Sequence, residues 1–204
     1  MRTVLVSQRV DVLATRNERR DSLDQRFLDW LAESELLGIP VPNRVERLDF
    51  LWQQVKPTAI VLSGGNDLAD YGGDAPERDA VERSLLGRAM AEGLPVFGVC
   101  RGAQLLLDAF GNHLQRLEGH VGARHHLIIA GQSYEVNSYH QWGCRELNLP
   151  LRVLATSDDG VIEAFAHDDL PILGIMWHPE RETPFAQLDR MLLQQCLDKG
   201  VKNQ

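Results

Sequence analysis

The sequence predicts an α/β protein of three layers: a mostly parallel central sheet with helices on both faces, plus a small antiparallel addition. Three observations predict it. Apolar runs of four to six residues recur along the chain, as strands buried on both sides require. Longer stretches of helical period separate them, which is the rhythm of βαβ units. Between about residues 113 and 165 this rhythm gives way to short strands punctuated by turns.

Taken in order, TVLV is the first strand. SLDQRFLDWLAESELLG then carries leucine, phenylalanine and tryptophan at helical spacing, and Gly38 is the expected C-cap. GIPV and TAIVL are the next strands. PERDAVERSLLGRAMAEG predicts a helix with Pro76 in its first turn and Gly93 at its stop. LPVFGV is a strand leading into a helix from Arg101 through about Phe110. RHHLIIA, QSYEVNSY, LRVLATS and VIEAFA supply the antiparallel addition at the sheet edge, and PILGIMW is the last strand of the parallel set. No repeat, low-complexity tract or Gly/Ser linker interrupts the 204 residues, so residues 1–204 are expected to form one domain.

Composition narrows the function. A net charge of −8 with scattered arginines offers no basic face to a phosphate backbone, so nucleic acid is not an expected partner. The apolar stretch in MRTVLVSQRV is too short for a signal peptide or membrane anchor. Three cysteines, an odd number without regular spacing, make no disulfide framework and suit a reducing, cytoplasmic compartment.

One cysteine stands out. Gly98-Val99-Cys100-Arg101-Gly102 has the G-x-nucleophile-x-G form of a strand-to-helix elbow, whose glycines permit a tight turn with an exposed side chain at its tip. The following helix aims its N-terminal dipole at the thiol and favours the thiolate. A small core cysteine is the competing reading. In ILGIMWHPE, His178 follows a strand and Glu180 stands two residues on, a base and the carboxylate that orients it. In VLSGGND, Gly64 and Gly65 expose backbone N–H groups where no side chain blocks approach, and the Arg101 N–H is a second oxyanion donor. Each alone also fits an ordinary loop. Together they converge on the carboxyl edge of one parallel sheet, where open α/β sheets bind ligands.

Other polar residues carry less. His113, His120, His125 and His126 match no metal-ligand spacing, so no metal is expected; they would line the rim or solvate the antiparallel insertion. His140 touches substrate or sits at the surface. Arg9, Arg19 and Arg20 suit a phosphate-bearing leaving group or simply flank elements. Cys144 and Cys196 lack an elbow and read as structural.

GVCRGAQ, LSGGND and WHPE, spread across most of the chain, resemble the class I glutamine amidotransferase-like superfamily, whose fold is flavodoxin-like. SGGND…YGG…ERDAVE and VNSYHQWG are similar to its free-standing γ-glutamyl hydrolase branch, related to the γ-glutamyl-γ-aminobutyrate hydrolases. The N-terminal SQRV…RRDSLDQRF…GIPVPN is similar to a subgroup linked to capsule and other surface-polysaccharide clusters, whose members act on γ-glutamyl-CDP-amidate.

The resemblance implies roles. Cys100 would attack a γ-glutamyl carbonyl and form a thioester; His178 would relay the proton and Glu180 orient it. Gly65 and Arg101 would hold the oxyanion. Gly64, Gln104 and His140 would contact substrate, and the backbone at Ser138 and Tyr139 would receive the glutamate α-carboxylate. No metal or organic cofactor is implied. A glutaminase serving a separate synthetase uses the same motifs and stays open, as does a homodimer. A non-catalytic binding protein on this fold is a third reading, against which intact Cys100, His178 and Glu180 speak.

Overall fold

The computed structural model describes residues 2–201. The chain opens with β1 (Arg2–Val6), a ribbon of β2 (Arg9–Leu13) and β3 (Glu18–Ser22), α1 (Gln25–Glu33) and β4 (Leu36–Pro40). Next come α2 (Leu48–Val55), β5 (Ala59–Leu62), α3 (Pro76–Glu92), β6 (Val96–Val99) and α4 (Arg101–Ala109). Then follow β7 (Gln115–Arg116), β8 (Val121–Ile129), β9 (Gln132–Tyr139) and β10 (Trp142–Gly143). β11 (Leu151–Thr156), β12 (Ile162–His167), β13 (Ile172–Ile175) and α5 (Gln187–Val201) complete it.

A seven-stranded sheet of order β11-β12-β13-β6-β5-β1-β4 organises these elements. β4, β1, β5, β6 and β13 run parallel; β12 pairs antiparallel with β13, and β11 pairs antiparallel with β12, which turns it back into the direction of the parallel set. Alternate side chains feed two cores. Val4, Val6, Val61, Phe97 and Val99 pack with Trp30 and Leu31 of α1 and Leu192 of α5. Leu5, Ile60, Leu62 and Val96 point the other way, onto Leu48 of α2, Leu85 of α3 and Leu106 of α4. Helices on both faces are why these strands read as unbroken apolar runs. Among the described residues, no helix is long and apolar enough to cross a membrane.

Two expectations need correction. The first helix ends at Glu33 rather than at a Gly38 cap: the Ser34 N–H bonds Leu31 O at 3.0 Å, and Glu35 turns the chain with φ 59°. Gly38 lies instead inside β4, beside Val4, where a Cβ would come 2.8 Å from Leu28 Cδ2 and 3.0 Å from Leu31 Cδ1. Its bareness lets α1 lie close against the sheet. The antiparallel region also divides. β8 and β9 pair with each other, but β11 and β12 extend the main sheet beyond β13.

The expected helix at Pro76 is found, and Gly93 caps it in the left-handed conformation at φ 67°. α2, α5 and the polar β2–β3 ribbon were not individually legible in the sequence.

Candidate active site

Three neighbouring strands, β5, β6 and β13, end side by side, and each delivers one motif. β6 runs into Cys100, whose N–H bonds Ile175 O at 2.8 Å and whose φ of 50° and ψ of −106° mark a strained elbow. α4 begins at the next residue. Gly98 and Gly102 are bare by necessity: a Cβ on Gly98 would fall 2.8 Å from Ala103 N, and one on Gly102 2.2 Å from Leu62 O. β5 ends in Ser63-Gly64-Gly65, with Gly65 at φ 86°. A Cβ on Gly64 would strike His178 Cε1 at 2.6 Å and stand 3.5 Å from Cys100 Cβ, so glycine admits the imidazole.

β13 leads to His178, which is buried. Its Nδ1 lies 2.7 Å from Glu180 Oε1, the carboxylate being brought back by a single turn of 3-10 helix over Pro179–Arg181. The His178 peptide is held on both sides by Asn137 of β9: Oδ1 accepts from His178 N at 3.0 Å, and Nδ2 donates to His178 O at 2.8 Å. Burial works against a charge on the ring. The negative charge and hydrogen bond of Cys100, then Glu180, outweigh it and push the His178 pKa up to about 9.

The sequence reading missed what stands behind the Gly64–Gly65 loop. Arg78 of α3, fully buried, donates to Ser63 O at 2.6 Å and Gly64 O at 3.1 Å, and also to Gly65 O. Its Nε bonds Glu82 at 2.9 Å, one helical turn on. Glu82 and Asp79 also pair with the buried Arg101 side chain, the residue after Cys100. Burial lowers the Arg78 pKa to about 9, a measure of how fully the network is withdrawn from water. The Ser63–Gly65 loop and the first turn of α4, the two segments beside Cys100, thus hang from one ion network. The signal was present in ERDAVE, where Arg78, Asp79 and Glu82 fall at helical spacing, but nothing in the sequence said what they would hold.

A cavity of about 460 Å³ opens over Cys100, lined by Gly65, Arg101, Gln104, Tyr139 and His140 among others. Gln104 Nε2 donates to Trp142 O at 3.0 Å. Tyr139 is half exposed, with its ring centroid 6.0 Å from that of His178. Ser138 is placed behind the wall, its hydroxyl donating to His120 O at 2.7 Å. A second cavity, of about 350 Å³, shares Arg9, Gly65, His178 and Arg181 with the first and continues past Ser22 and Asp24.

The histidines need a correction. His120 is buried, neither rim nor solvated, and His140, although it borders the cavity over Cys100, is buried rather than at the surface: the two flank the fully buried Glu163 of β12 at 3.2 and 3.4 Å. Burial raises the Glu163 pKa, yet the two histidines outweigh it and hold it at about 2. His120, His125 and Glu163 offer donor atoms within 4.8 Å of one another, the one group among the described residues with the makings of a metal site. Of Arg9, Arg19 and Arg20, Arg19 is taken by Glu77 and Asp74 O and Arg20 by Glu18, whereas Arg9 reaches the cleft. Cys144 and Cys196 are buried, and burial pushes their thiols up to about 11 and about 12.

Comparison with known proteins shows the family. The family model for glutamine amidotransferase class-I matches residues 20–195. The gamma-glutamyl-CDP-amidate hydrolase of Campylobacter jejuni is 34% identical over 183 residues, covering 87% of this chain and 89% of that protein. The gamma-glutamyl-gamma-aminobutyrate hydrolase of Escherichia coli O157:H7 is 26% identical over 238 residues, covering 95% and 94%. A candidate GMP synthase component from Thermoplasma acidophilum superposes with a TM-score of 0.72 at 19% identity, over 100% of this chain and 96% of that one. A glutamine amidotransferase from Thermotoga maritima gives 0.67 at 17%, over 98% and 85%; at such identities the likeness is one of fold. With the family match spanning the elbow, the glycine loop and the His-Pro-Glu turn, the chain belongs to the class-I glutamine amidotransferase family.

Proposed function

We propose that the chain is a cysteine-dependent hydrolase that releases glutamate from a γ-glutamyl amide or phosphoramidate, with γ-glutamyl-CDP-amidate as the first substrate to test. The observation that carries this reading is the meeting of Cys100 with the His178–Glu180 pair, itself closed at 2.7 Å, beside a glycine loop and an open cavity. The likeness to the Campylobacter jejuni enzyme over most of both chains supports the choice of substrate.

The steps follow from the groups present. Cys100 Sγ attacks the γ-carbonyl carbon, and the oxyanion is held by the Gly65 and Arg101 N–H groups, the latter unsatisfied as the first in α4. His178 Nε2 carries the thiol proton and gives it to the leaving nitrogen as the C–N bond breaks. Water, deprotonated by His178, then opens the γ-glutamyl thioester; glutamate departs and the proton returns to the thiolate. Glu180 keeps the ring oriented, with its Nδ1 toward the carboxylate. Gln104 and Tyr139, lining the same cavity, hold the glutamyl moiety, and the buried His140 stands behind them against Glu163 at 3.4 Å.

The test is glutamate release by the purified protein alone from glutamine, γ-glutamyl-γ-aminobutyrate and γ-glutamyl-CDP-amidate, with Cys100→Ala beside it. Cys100-dependent release from a γ-glutamyl compound other than glutamine is expected. Silence on all three would overturn the hydrolase and point to a glutaminase that delivers ammonia to a synthetase.

A further inference from the structure

We propose that the cavity beyond His178 is the leaving-group subsite, and that Arg9 and Arg181 select there for a phosphorylated leaving group. This rests on the hydrolase reading above. The glutamyl half has its place in the cavity that holds Cys100 and Gln104. A leaving nitrogen protonated by His178 must carry its substituent past that ring, and the space there is the second cavity, walled by the same His178, Gly65, Arg9 and Arg181.

Charge decides what fits. Three carboxylates border this space, and each is engaged. Asp24 caps α1 through Arg26 N at 3.0 Å, Glu180 holds His178, and Asp11 accepts from Ser22 Oγ at 2.6 Å and meets Arg9 Nε at 2.9 Å. Arg9 lies across the glycine loop, so close that a Cβ on Gly65 would come 3.2 Å from its Cβ and Cδ. Its terminal nitrogens make no hydrogen bond among the described residues. Arg181 holds its guanidinium carbon 4.3 Å over the Tyr139 ring and borders both cavities, and its nearest carboxylate contact is 3.9 Å from Nε. In a chain of net charge −8, two guanidinium groups border one cleft, Arg9 with only its Nε paired to Asp11 and Arg181 with a single carboxylate contact at 3.9 Å, and together they favour an anion. Planar forks suit the oxygens of a phosphate or diphosphate, whereas an uncharged amine would leave them without a partner.

The experiment compares kcat/KM for γ-glutamyl-CDP-amidate with that for γ-glutamylethylamide, whose leaving group carries no phosphate. Wild type should favour the phosphorylated substrate, and Arg9→Gln or Arg181→Gln should each lower that ratio by about tenfold, as loss of a charge-assisted contact does. Lysine at either position should restore part of it, and Arg16→Gln, on an exposed turn, should leave it unchanged. An equal fall on both substrates, or an unaltered ratio, overturns the subsite.

Calorimetric titration of Cys100→Ala with CDP separates the two ideas. If wild type hydrolyses neither compound, the hydrolase reading fails, and CDP binding that Arg9→Gln abolishes still upholds the subsite. Absence of CDP binding to Cys100→Ala at millimolar concentration overturns it.

Discussion

Gly102 and Leu62 approach so closely that a Cβ on the glycine would lie 2.2 Å from the Leu62 carbonyl oxygen, joining the first turn of α4 to the last residue of β5. The contact is backbone on both sides and has nowhere to yield. Gly102→Ala is expected to destabilise the protein by about 3 kcal/mol or more, the upper range for forced overpacking. Chemical denaturation beside Gly87→Ala, where a Cβ meets nothing within 4 Å, measures it; equal stabilities would contradict the geometry.

His178 supplies a second expectation. Burial opposes its charge, and Cys100 is the larger of the partners that lift its pKa to about 9. Cys100→Ala leaves the burial and removes that partner, so the ring should titrate lower in the variant than in wild type. Histidine Cε1 proton shifts followed by NMR between pH 5 and 10 decide this. A raised folded pKa favours the protonated form in the native state, so the associated stability is present below about 6.5 and fades as pH rises through about 9 in wild type. In the variant, with Glu180 alone opposing burial, that dependence should weaken.

Arg78 holds three consecutive carbonyls of the Ser63–Gly65 loop. Lysine keeps one charge but cannot span them. Arg78→Lys is therefore expected to lower kcat by about tenfold to a hundredfold with little change in KM, as loss of oxyanion preorganisation does. A rise in KM at constant kcat would assign the residue to substrate binding instead.

Asp189 of α5 is buried and accepts from Trp177 Nε1 at 2.6 Å. Burial, the first cause, pushes its pKa from 3.8 up to about 7, against the Trp177 hydrogen bond. With the folded value above the unfolded one, stability is lost as pH rises from about 4 through about 7. Asp189→Asn keeps an acceptor for the indole and never ionises. Its advantage over wild type should grow across that window to about 4 kcal/mol and stay level above it, read from melting temperatures at stepped pH. A constant offset would reject the linkage.

A glutamine-derived alkylating reagent should label Cys100 and spare Cys144 and Cys196. The latter two are withdrawn from water and shifted to about 11 and about 12, so neither presents a thiolate near neutral pH. Peptide mass spectrometry showing equal labelling at all three would remove the distinction.

Much of this was legible in the chain. Parallel strands buried on both faces announce themselves as apolar runs, and the elbow and its glycines are a local pattern in which spacing is geometry. His178 and Glu180 are two residues apart, so their partnership needed one turn only. Gly38 misled because a glycine after a helical stretch looks like a cap, whereas here close packing of α1 on β4 requires it. Glu163 was silent for a different reason. Its histidine partners, His120 and His140, lie far away in sequence and meet it only in the folded chain. β2, Arg9-Val10-Asp11-Val12-Leu13, alternates only briefly, and its partner β3, Glu18–Ser22, has no apolar residue to mark it as a strand.

That ribbon pairs only with itself and shares no ladder with the seven-stranded sheet. The reacting groups are fixed by β5, β6 and β13, while Arg9, Asp11 and Ser22 arrive on a separate strip of backbone. Side-chain bonds rather than a ladder tie it to the body, Asn66 to the Val10 backbone at 2.8 and 3.0 Å and Asn43 Nδ2 to Asp21 at 2.8 Å. The strip is thus an exchangeable part: transplanting residues 9–22 between members of the family offers a route to new substrate preference without rebuilding the chemistry.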